Sequence, residues 1–114
     1  MLTRVVQERR TFSADLDMCE LGERSRPSPA WTVRGVSISR SHIRVSSRRM
    51  CYVGAQVGVA VHLVDDRPCV LHGVVEFCEY DADGRYAIEI ALVAARDDRV
   101  KLALREWFQT RKQA

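Results

Sequence analysis

The feature that most constrains the fold of this 114-residue chain is an alternation of apolar and polar side chains that recurs in short segments. Successive side chains of an extended strand point to opposite faces of a sheet, so the alternation predicts strands with one apolar and one polar face. Turn-forming residues separate the segments, notably the Pro- and Ser-rich stretch 22–30 and the pair Asp83-Gly84, which is typical of a tight hairpin. The predicted strands are residues 14–21, 31–39, 42–47, 55–64, 69–80 and 85–94.

The last three segments carry the clearest apolar rows, and we expect these rows to line the core. Their members are Val57, Val59, Val61 and Leu63; Leu71, Gly73, Val75 and Phe77; and Tyr86, Ile88, Ile90 and Leu92. The second segment is mixed, because strict alternation places Trp31, Val33, Gly35 and Ser37 together on one side.

The C-terminal part of the chain changes to a helical period. Its apolar members are Val100, Leu104, Trp107 and Phe108. Asp97 or Asp98 suits the N-cap, and Arg111 and Lys112 suit the C-terminal end of the dipole, so we predict a helix over about residues 97–111. The expected fold is mainly β: a six-stranded antiparallel β-barrel with a C-terminal α-helix, because closure removes exposed strand edges.

Length and composition predict a single domain over residues 1–114, with a flexible N-terminal segment over about residues 1–13. Apolar runs are too short to cross a bilayer and the start lacks a signal-peptide pattern, so we expect a cytoplasmic protein without membrane insertion. The four cysteines lack the close paired spacing of zinc ligands. We therefore expect reduced thiols, no metal and no cofactor.

Charge is divided unevenly along the chain. Residues 1–50 hold ten arginines and five acids, a balance of +5, whereas residues 51–114 hold eight bases and ten acids, a balance of −2. This asymmetry favours an anionic partner for the first half, either a nucleotide, a nucleic acid or an acidic protein surface. The alternative is a solvated polar face, which many sheets have.

Four fragments, taken in order, resemble a PilZ domain. They are "ERRTFSAD" at the start, "VSISRSHIRV" after the loop, "YVGAQVGVAVHL" and "LHGVVEF". The resemblance runs from about Glu8 to about Phe108. It implies a six-stranded barrel that senses the bacterial second messenger cyclic di-GMP. In that family an arginine pair four residues apart grips phosphate and guanine, and an Asp/Asn-x-Ser-x-x-Gly motif contacts the ligand from the barrel.

This chain keeps only part of the arginine motif of that family. Arg10 matches the first arginine, but Ala14 stands at the position of the second, and Arg9 is a candidate substitute. Loss of one arginine contact can cost as much as a charge-assisted hydrogen bond, roughly 1.5–3 kcal/mol.

The second motif is also altered. Ser37 stands where Asp or Asn is expected, Ser39 matches the serine, and His42 replaces the glycine. A histidine is disfavoured there if the backbone needs a positive φ, and its ring fills space if the glycine admits the ligand. Together with the missing arginine, these changes predict cyclic di-GMP affinity lowered on the order of a hundredfold to several thousandfold.

Arg40, Arg44 and Arg48 recur every fourth residue beside this motif. In an unbroken strand they would share a face and could rebuild a basic site with Arg9 and Arg10. The candidate ligand-binding residues are therefore Arg9, Arg10, Ser37, Ser39, Arg40, His42 and Arg44.

The residues point to a regulatory module and away from an enzyme. His62 and His72 lie within strands, and neither belongs to a recognisable catalytic arrangement. One interpretation is a cyclic di-GMP signalling module that acts on a protein partner. An alternative is a protein-interaction adaptor that has lost the nucleotide. A third is an OB-like binder of single-stranded nucleic acid, which is disfavoured because no aromatic residue lies between Trp31 and Tyr52 for bases to stack on.

Overall fold

The computed structural model describes residues 9–23, 26–62, 68–93 and 101–107. The strands in these ranges are β1 (Arg10–Leu21), β2 (Trp31–Ile38), β3 (His42–Ser47), β4 (Gln56–His62), β5 (Pro68–Ala82) and β6 (Arg85–Leu92). Each of them coincides with one predicted segment, so the predicted number and order of strands are confirmed.

The strands close into an antiparallel barrel in the order β1-β2-β3-β6-β5-β4. β1 pairs with β2 along one edge and with β4 along the other, and this second pairing closes the sheet. The predicted barrel is therefore confirmed. Closure gives the barrel a packed interior and an outer wall, so any site on the wall is built from outward-facing residues.

Buried aliphatic side chains from every strand fill the interior. They are Leu16, Met18, Val33, Ile43, Val45, Val57, Val59, Val61, Val75, Ile88 and Ile90. A fully buried aliphatic side chain contributes roughly 1.5–3 kcal/mol to stability, so this cluster is the principal source of folding free energy. The apolar rows predicted for β4 and β6 lie here, although Leu63 falls outside the described residues.

A second, smaller apolar cluster lies on the outer wall, where the C-terminal helix covers β1 and β4. Its buried members, which we call the helix-covered face, are Cys19, Leu21, Ala60, Leu104 and Trp107. Gly58 permits this contact, because a Cβ there would lie 2.5 Å from Leu104 Cδ2. No helix in the described ranges is long and apolar enough to cross a membrane.

Only the central part of the predicted helix is described. Residues 101–107 are helical, in agreement with the expected C-terminal helix. The predicted capping and terminal residues lie outside the described ranges, as do two members of its apolar row. These residues are Asp97, Asp98, Val100, Phe108, Arg111 and Lys112.

The N-terminal strand begins earlier than predicted. β1 starts at Arg10, four residues before the predicted strand start at residue 14. The register between β1 and β2 shifts between Thr11 and Ala14, and Phe12 packs against the core at this bulge. Gly35 makes room for it, because a Cβ there would lie 2.1 Å from Phe12 Cε2. Burial of this ring fixes the start of the strand.

Two further bulges reverse the faces that alternation assigns. In β5 the register shifts between Val75 and Phe77, so Phe77 pairs with the outward residue Glu89, and Cys78 packs against the core in its place. The expectation that Phe77 belongs to the core row is therefore wrong. An extra residue in one strand moves every later side chain to the opposite face.

The bulge in β2 has the same effect on the candidate site. The register with β3 shifts between Gly35 and Ser37. As a result Ser37 leaves the row of Val33 and Gly35 and faces outward opposite Arg44, while Ile38 packs against the core. The placement of Ser37 on the side of Val33 is wrong, and the correction puts its hydroxyl on the outer wall.

The hairpin between β5 and β6 forms as predicted. Asp83 has a φ of 56° and Gly84 a φ of 75°, so both central residues adopt the left-handed conformation that a tight primed turn requires. Of the described residues other than glycine, Asp83 is the one with positive φ.

Candidate anion-binding site

A transverse row of outward-facing residues crosses the barrel wall from β1 to β6. Thr11 is registered with Ser37, Ser37 with Arg44, and Arg44 with Glu89. Residues directly opposite each other in an antiparallel pair share a face, so all four side chains lie on the same side of the sheet. Arg9, two positions before Thr11, reaches the same row.

These side chains form one hydrogen-bonded cluster. Both terminal nitrogens of Arg9 donate to the Glu89 carboxylate, and Arg9 Nη1 also donates to Ser37 Oγ at 3.3 Å. From the other side, Arg44 Nε donates to Glu89 Oε2 at 2.7 Å. Two guanidinium groups thus share one carboxylate and leave the cluster with a net charge of about +1. We call Arg9, Ser37, Arg44 and Glu89 the arginine face.

The Glu89 carboxylate is charged and well held. The residue is 8% exposed, whereas the side chains of Arg9 and Arg44 are 39% and 43% exposed. Burial acts to raise the pKa of the Glu89 carboxyl, but hydrogen bonds from both arginines outweigh it, and the pKa lies below its ordinary value. The same contact with Glu89 raises the pKa of Arg9. The guanidinium groups are therefore the exposed part of the cluster and the carboxylate its buried part.

The turn between β2 and β3 lies beside this cluster and is held by Ser39. The Ser39 amide donates to the His42 carbonyl at 2.8 Å, and the His42 amide donates to Ser39 Oγ at 3.1 Å. These two bonds close a tight connection around Arg40 and Ser41. Because its hydroxyl is bonded within the turn, Ser39 shapes the corner beside Ser37.

His42 is anchored without backbone strain. It is the first residue of β3 and does not have a positive φ, so the conformational cost expected at this position is absent. Its Nε2 lies 2.6 Å from Glu76 Oε1, and its Nδ1 lies 2.7 Å from Ser41 Oγ. A carboxylate only accepts hydrogen bonds, so Nε2 is the donor to Glu76. The ring is thereby fixed at the edge of the site, where it fills space that a glycine would leave open.

The two N-terminal arginines serve different faces. Arg10 is registered with Ile38, whose side chain packs against the core, so Arg10 belongs to the inward-facing row, where it is exposed. Arg9 belongs to the outward row and reaches Ser37 and Glu89. The backbone of Arg10 is therefore close to the corner of Ser37 and His42, but it is Arg9 that joins the cluster.

The predicted arginine stripe does not form. β3 spans only His42–Ser47, so Arg40 lies in the preceding turn and Arg48 in the bend after it, and both are exposed. Of the three, only Arg44 has the fixed orientation of a paired strand. The premise of an unbroken strand is wrong because the turn and the bend end it on both sides.

Glu89 is the residue of this site that sequence reasoning missed. In the sequence it is an acid between Ile88 and Ile90 and looks like an ordinary solvated strand residue. Its role depends on the pairing of β3 with β6, which places it opposite Arg44, 45 residues earlier in the chain. A charged residue within a strongly apolar strand is the only signal that could have drawn attention to it.

In the parts of the chain that the structure describes, no three His, Cys, Asp or Glu side chains come together in a way that could hold a metal ion. The arginine face offers guanidinium N–H donors and positive charge. Such a surface recognises phosphate or carboxylate oxygens.

Comparison with known proteins bears on the fold. No protein-family model matches the chain, and no curated protein matches it in sequence. Among solved structures, the Bacillus subtilis inhibitor of motility (MotI/DgrA) matches with a TM-score of 0.59 at 11% sequence identity. The match covers 98% of this chain and 53% of that chain, so the present sequence spans about half of its neighbour. The chain has the PilZ-type fold. The PilZ resemblance of the sequence is thus confirmed for the architecture.

Proposed function

We propose that this PilZ-type chain is a non-enzymatic regulatory module of the bacterial cytoplasm that binds cyclic di-GMP weakly on its arginine face. The whole chain, residues 1–114, would act as one domain that passes the signal to a protein partner. The observation that carries this proposal is the convergence of Arg9, Ser37 and Arg44 from three different strand regions onto one patch of the barrel wall.

The chemistry of the patch suits a phosphodiester. A guanidinium group offers several N–H donors in a plane, which match phosphate oxygens and guanine acceptors, and its flat face stacks on a base. Ser37 Oγ supplies a neutral donor and acceptor between the two arginines. Arg44 is fixed by a paired strand, which lowers the entropy that a bound ligand must overcome.

Weak affinity is expected because the site lacks three family features. Ala14 provides no second family arginine, Ser37 provides a hydroxyl where the family has a carboxylate or amide, and the ring of His42 occupies the glycine position. The fold similarity to an inhibitor of motility supports a regulatory role, in which the output depends on another protein.

Calorimetric titration of the purified protein with cyclic di-GMP tests the proposal. We expect saturable binding with a micromolar Kd. The Arg9→Ala variant should bind about tenfold or more weakly, because a charge-assisted contact is lost. Arg48→Ala is the matched control, since this exposed arginine lies outside the cluster, and its affinity should equal that of the wild type. Absence of heat at ligand concentrations of about 100 μM would reject the receptor function.

The second candidate function is a protein-interaction adaptor without nucleotide binding. It is favoured by the state of the arginine face, in which Glu89 already bonds to both arginines. A chain that gives no heat with cyclic di-GMP, but retains a protein partner through Arg9 and Arg44 in affinity capture, would fit this function. Single-stranded DNA in a gel shift at physiological salt tests nucleic-acid binding, which we expect to be absent.

A further inference from the structure

The arginine face contains a feature that nucleotide binding does not require. Glu89 places a carboxylate on the guanidinium group of Arg9, and its side chain is more deeply buried than that of either arginine that contacts it. Both terminal nitrogens of Arg9 donate to it, so the fork that would grip a phosphate is already filled. The protein therefore carries an anion of its own in the site.

We propose that Glu89 is a built-in competitor, and that a phosphate-bearing ligand binds by replacing this carboxylate on Arg9. The inference rests on the proposed function, because it assigns to Glu89 the control of affinity at that same site. A competitor and a purely structural ion pair predict opposite changes in ligand affinity. Removing the charge of a competitor should strengthen ligand binding, whereas removing a residue that only supports the site should weaken it.

The positions of the two arginines indicate which contact is exchanged. Arg44 lies within β3 and is registered with Glu89 in β6, so their contact is fixed by strand pairing. Arg9 precedes the first residue of β1, and its side chain is 39% exposed. Arg9 can thus rotate away from Glu89 without breaking a strand pair, and Glu89 keeps the bond from Arg44 Nε when it does so.

Arg44 also offers the first contact for an incoming anion. Its bond to Glu89 uses Nε, and among the described residues no hydrogen bond engages its terminal nitrogens. A phosphate can therefore meet Arg44 at those nitrogens before Arg9 leaves Glu89. The resulting arrangement has each anion, phosphate and carboxylate, paired with a guanidinium group, which avoids leaving a buried charge without a partner.

The direct test compares Glu89→Gln with the wild-type protein by calorimetric titration with cyclic di-GMP. Glutamine keeps the size of the side chain and can still accept from Arg44, but it removes the charge that competes for Arg9. We expect affinity to rise about tenfold or more. Glu79→Gln is the matched control, because Glu79 is exposed on β5 and its change alters net charge equally, and its affinity should stay within about twofold of wild type.

A double variant separates competition from a general effect of charge. If Glu89 acts through Arg9, then Glu89→Gln should give no gain in a protein that already carries Arg9→Ala. Equal or weaker binding by Glu89→Gln in the otherwise wild-type protein, with its thermal unfolding still cooperative, would overturn the inference while leaving the proposed function intact.

A second probe keeps the two proposals distinguishable if cyclic di-GMP does not bind at all. Inorganic pyrophosphate carries the phosphate charge without the guanines, and its binding is read as a rise in Tm. A larger rise for Glu89→Gln than for Glu79→Gln supports the competitor role even when the nucleotide proposal has failed. Equal responses of the two variants overturn it.

Discussion

The outer wall of this barrel has two regions whose outward-facing side chains are accommodated in opposite ways. On the helix-covered face, the outward positions of β1 and β4 are small or apolar, and the C-terminal helix packs against them. On the arginine face, the outward positions of β2, β3 and β6 carry hydroxyl and charged groups that bond to one another. The comparison teaches that strand register, bulges included, decides which residues point outward. Side-chain chemistry then decides whether an outward region contributes to stability or to recognition.

The energetic consequence differs between the two regions. Truncating a buried apolar side chain leaves a cavity and lowers the free energy of unfolding by several kcal/mol. A partly exposed ion pair contributes little to that free energy. We therefore expect substitutions on the helix-covered face to change folding, and substitutions on the arginine face to change binding much more than folding.

The largest expected effect is on the helix-covered face. Leu104 is 5% exposed and packs against the barrel wall at Gly58. Because its truncation leaves a cavity, Leu104→Ala should lower the free energy of unfolding by about 2–5 kcal/mol in urea denaturation. Leu102 is the matched control on the same helix. It is 54% exposed, and Leu102→Ala should change the free energy by less than about 0.5 kcal/mol. Equal losses for the two variants would show that Leu104 does not pack on the barrel wall.

A smaller effect on folding is expected at the arginine face. Arg44→Ala removes one of two partners from the buried Glu89 carboxylate. Because solvent screens a side chain that is 43% exposed, we expect the free energy of unfolding to fall by only about 1–2 kcal/mol. Arg34→Ala is the control, since its contact with Asp15 is 3.7 Å long and joins side chains that are 57% and 73% exposed. Arg34→Ala should lower the free energy of unfolding by less than about 0.5 kcal/mol. A loss at Arg34 as large as at Arg44 would contradict the special status of the Glu89 cluster.

The smallest effect is in the dependence of stability on pH, which should reflect His72, beside the C-terminal helix, and Glu89, in the arginine face. Burial lowers the pKa of His72, which lies beside the helix, from 6.5, so the unfolded state takes up its proton first and stability falls as pH drops below about 6.5. The pKa of Glu89 lies below 4.5, so its stabilisation is present above about pH 4.5 and is lost as pH falls further.

Denaturation at a series of pH values checks both signs. His72→Leu should flatten the dependence near pH 6.5 and leave the acidic limb, whereas Glu89→Gln should flatten the acidic limb alone. If stability rises on acidification through either range in the wild-type protein, the corresponding assignment of pKa direction is wrong.

Much of the fold could be predicted because it depends on local pattern. Alternation identifies the strands, and Asp83-Gly84 identifies the hairpin, since both signals lie within a few neighbouring residues. Bulges could not be predicted in this way, because one extra residue leaves the composition of a strand unchanged while it reverses the faces of Ser37 and Phe77.

The candidate site was less predictable than the fold for a related reason. Ser37 could be named from its motif, Arg9 as a substitute beside Arg10, and Arg44 from a stripe that does not form. The choice of Arg9 over Arg10 depends on the register of Arg10 with Ile38. Glu89 depends on a strand pairing between distant parts of the chain. Whether a charged residue is solvated or bonded is decided by the residue that the register places opposite it.

The most direct test of nucleotide binding on the arginine face is a map of backbone amide chemical shifts during titration with cyclic di-GMP. We predict saturable changes that centre on Arg9, Ser37, Arg44 and Glu89, with none at Cys19, Ala60 or Leu104. Changes that centre on the helix-covered face, with the arginine face unaffected, would contradict the proposed site.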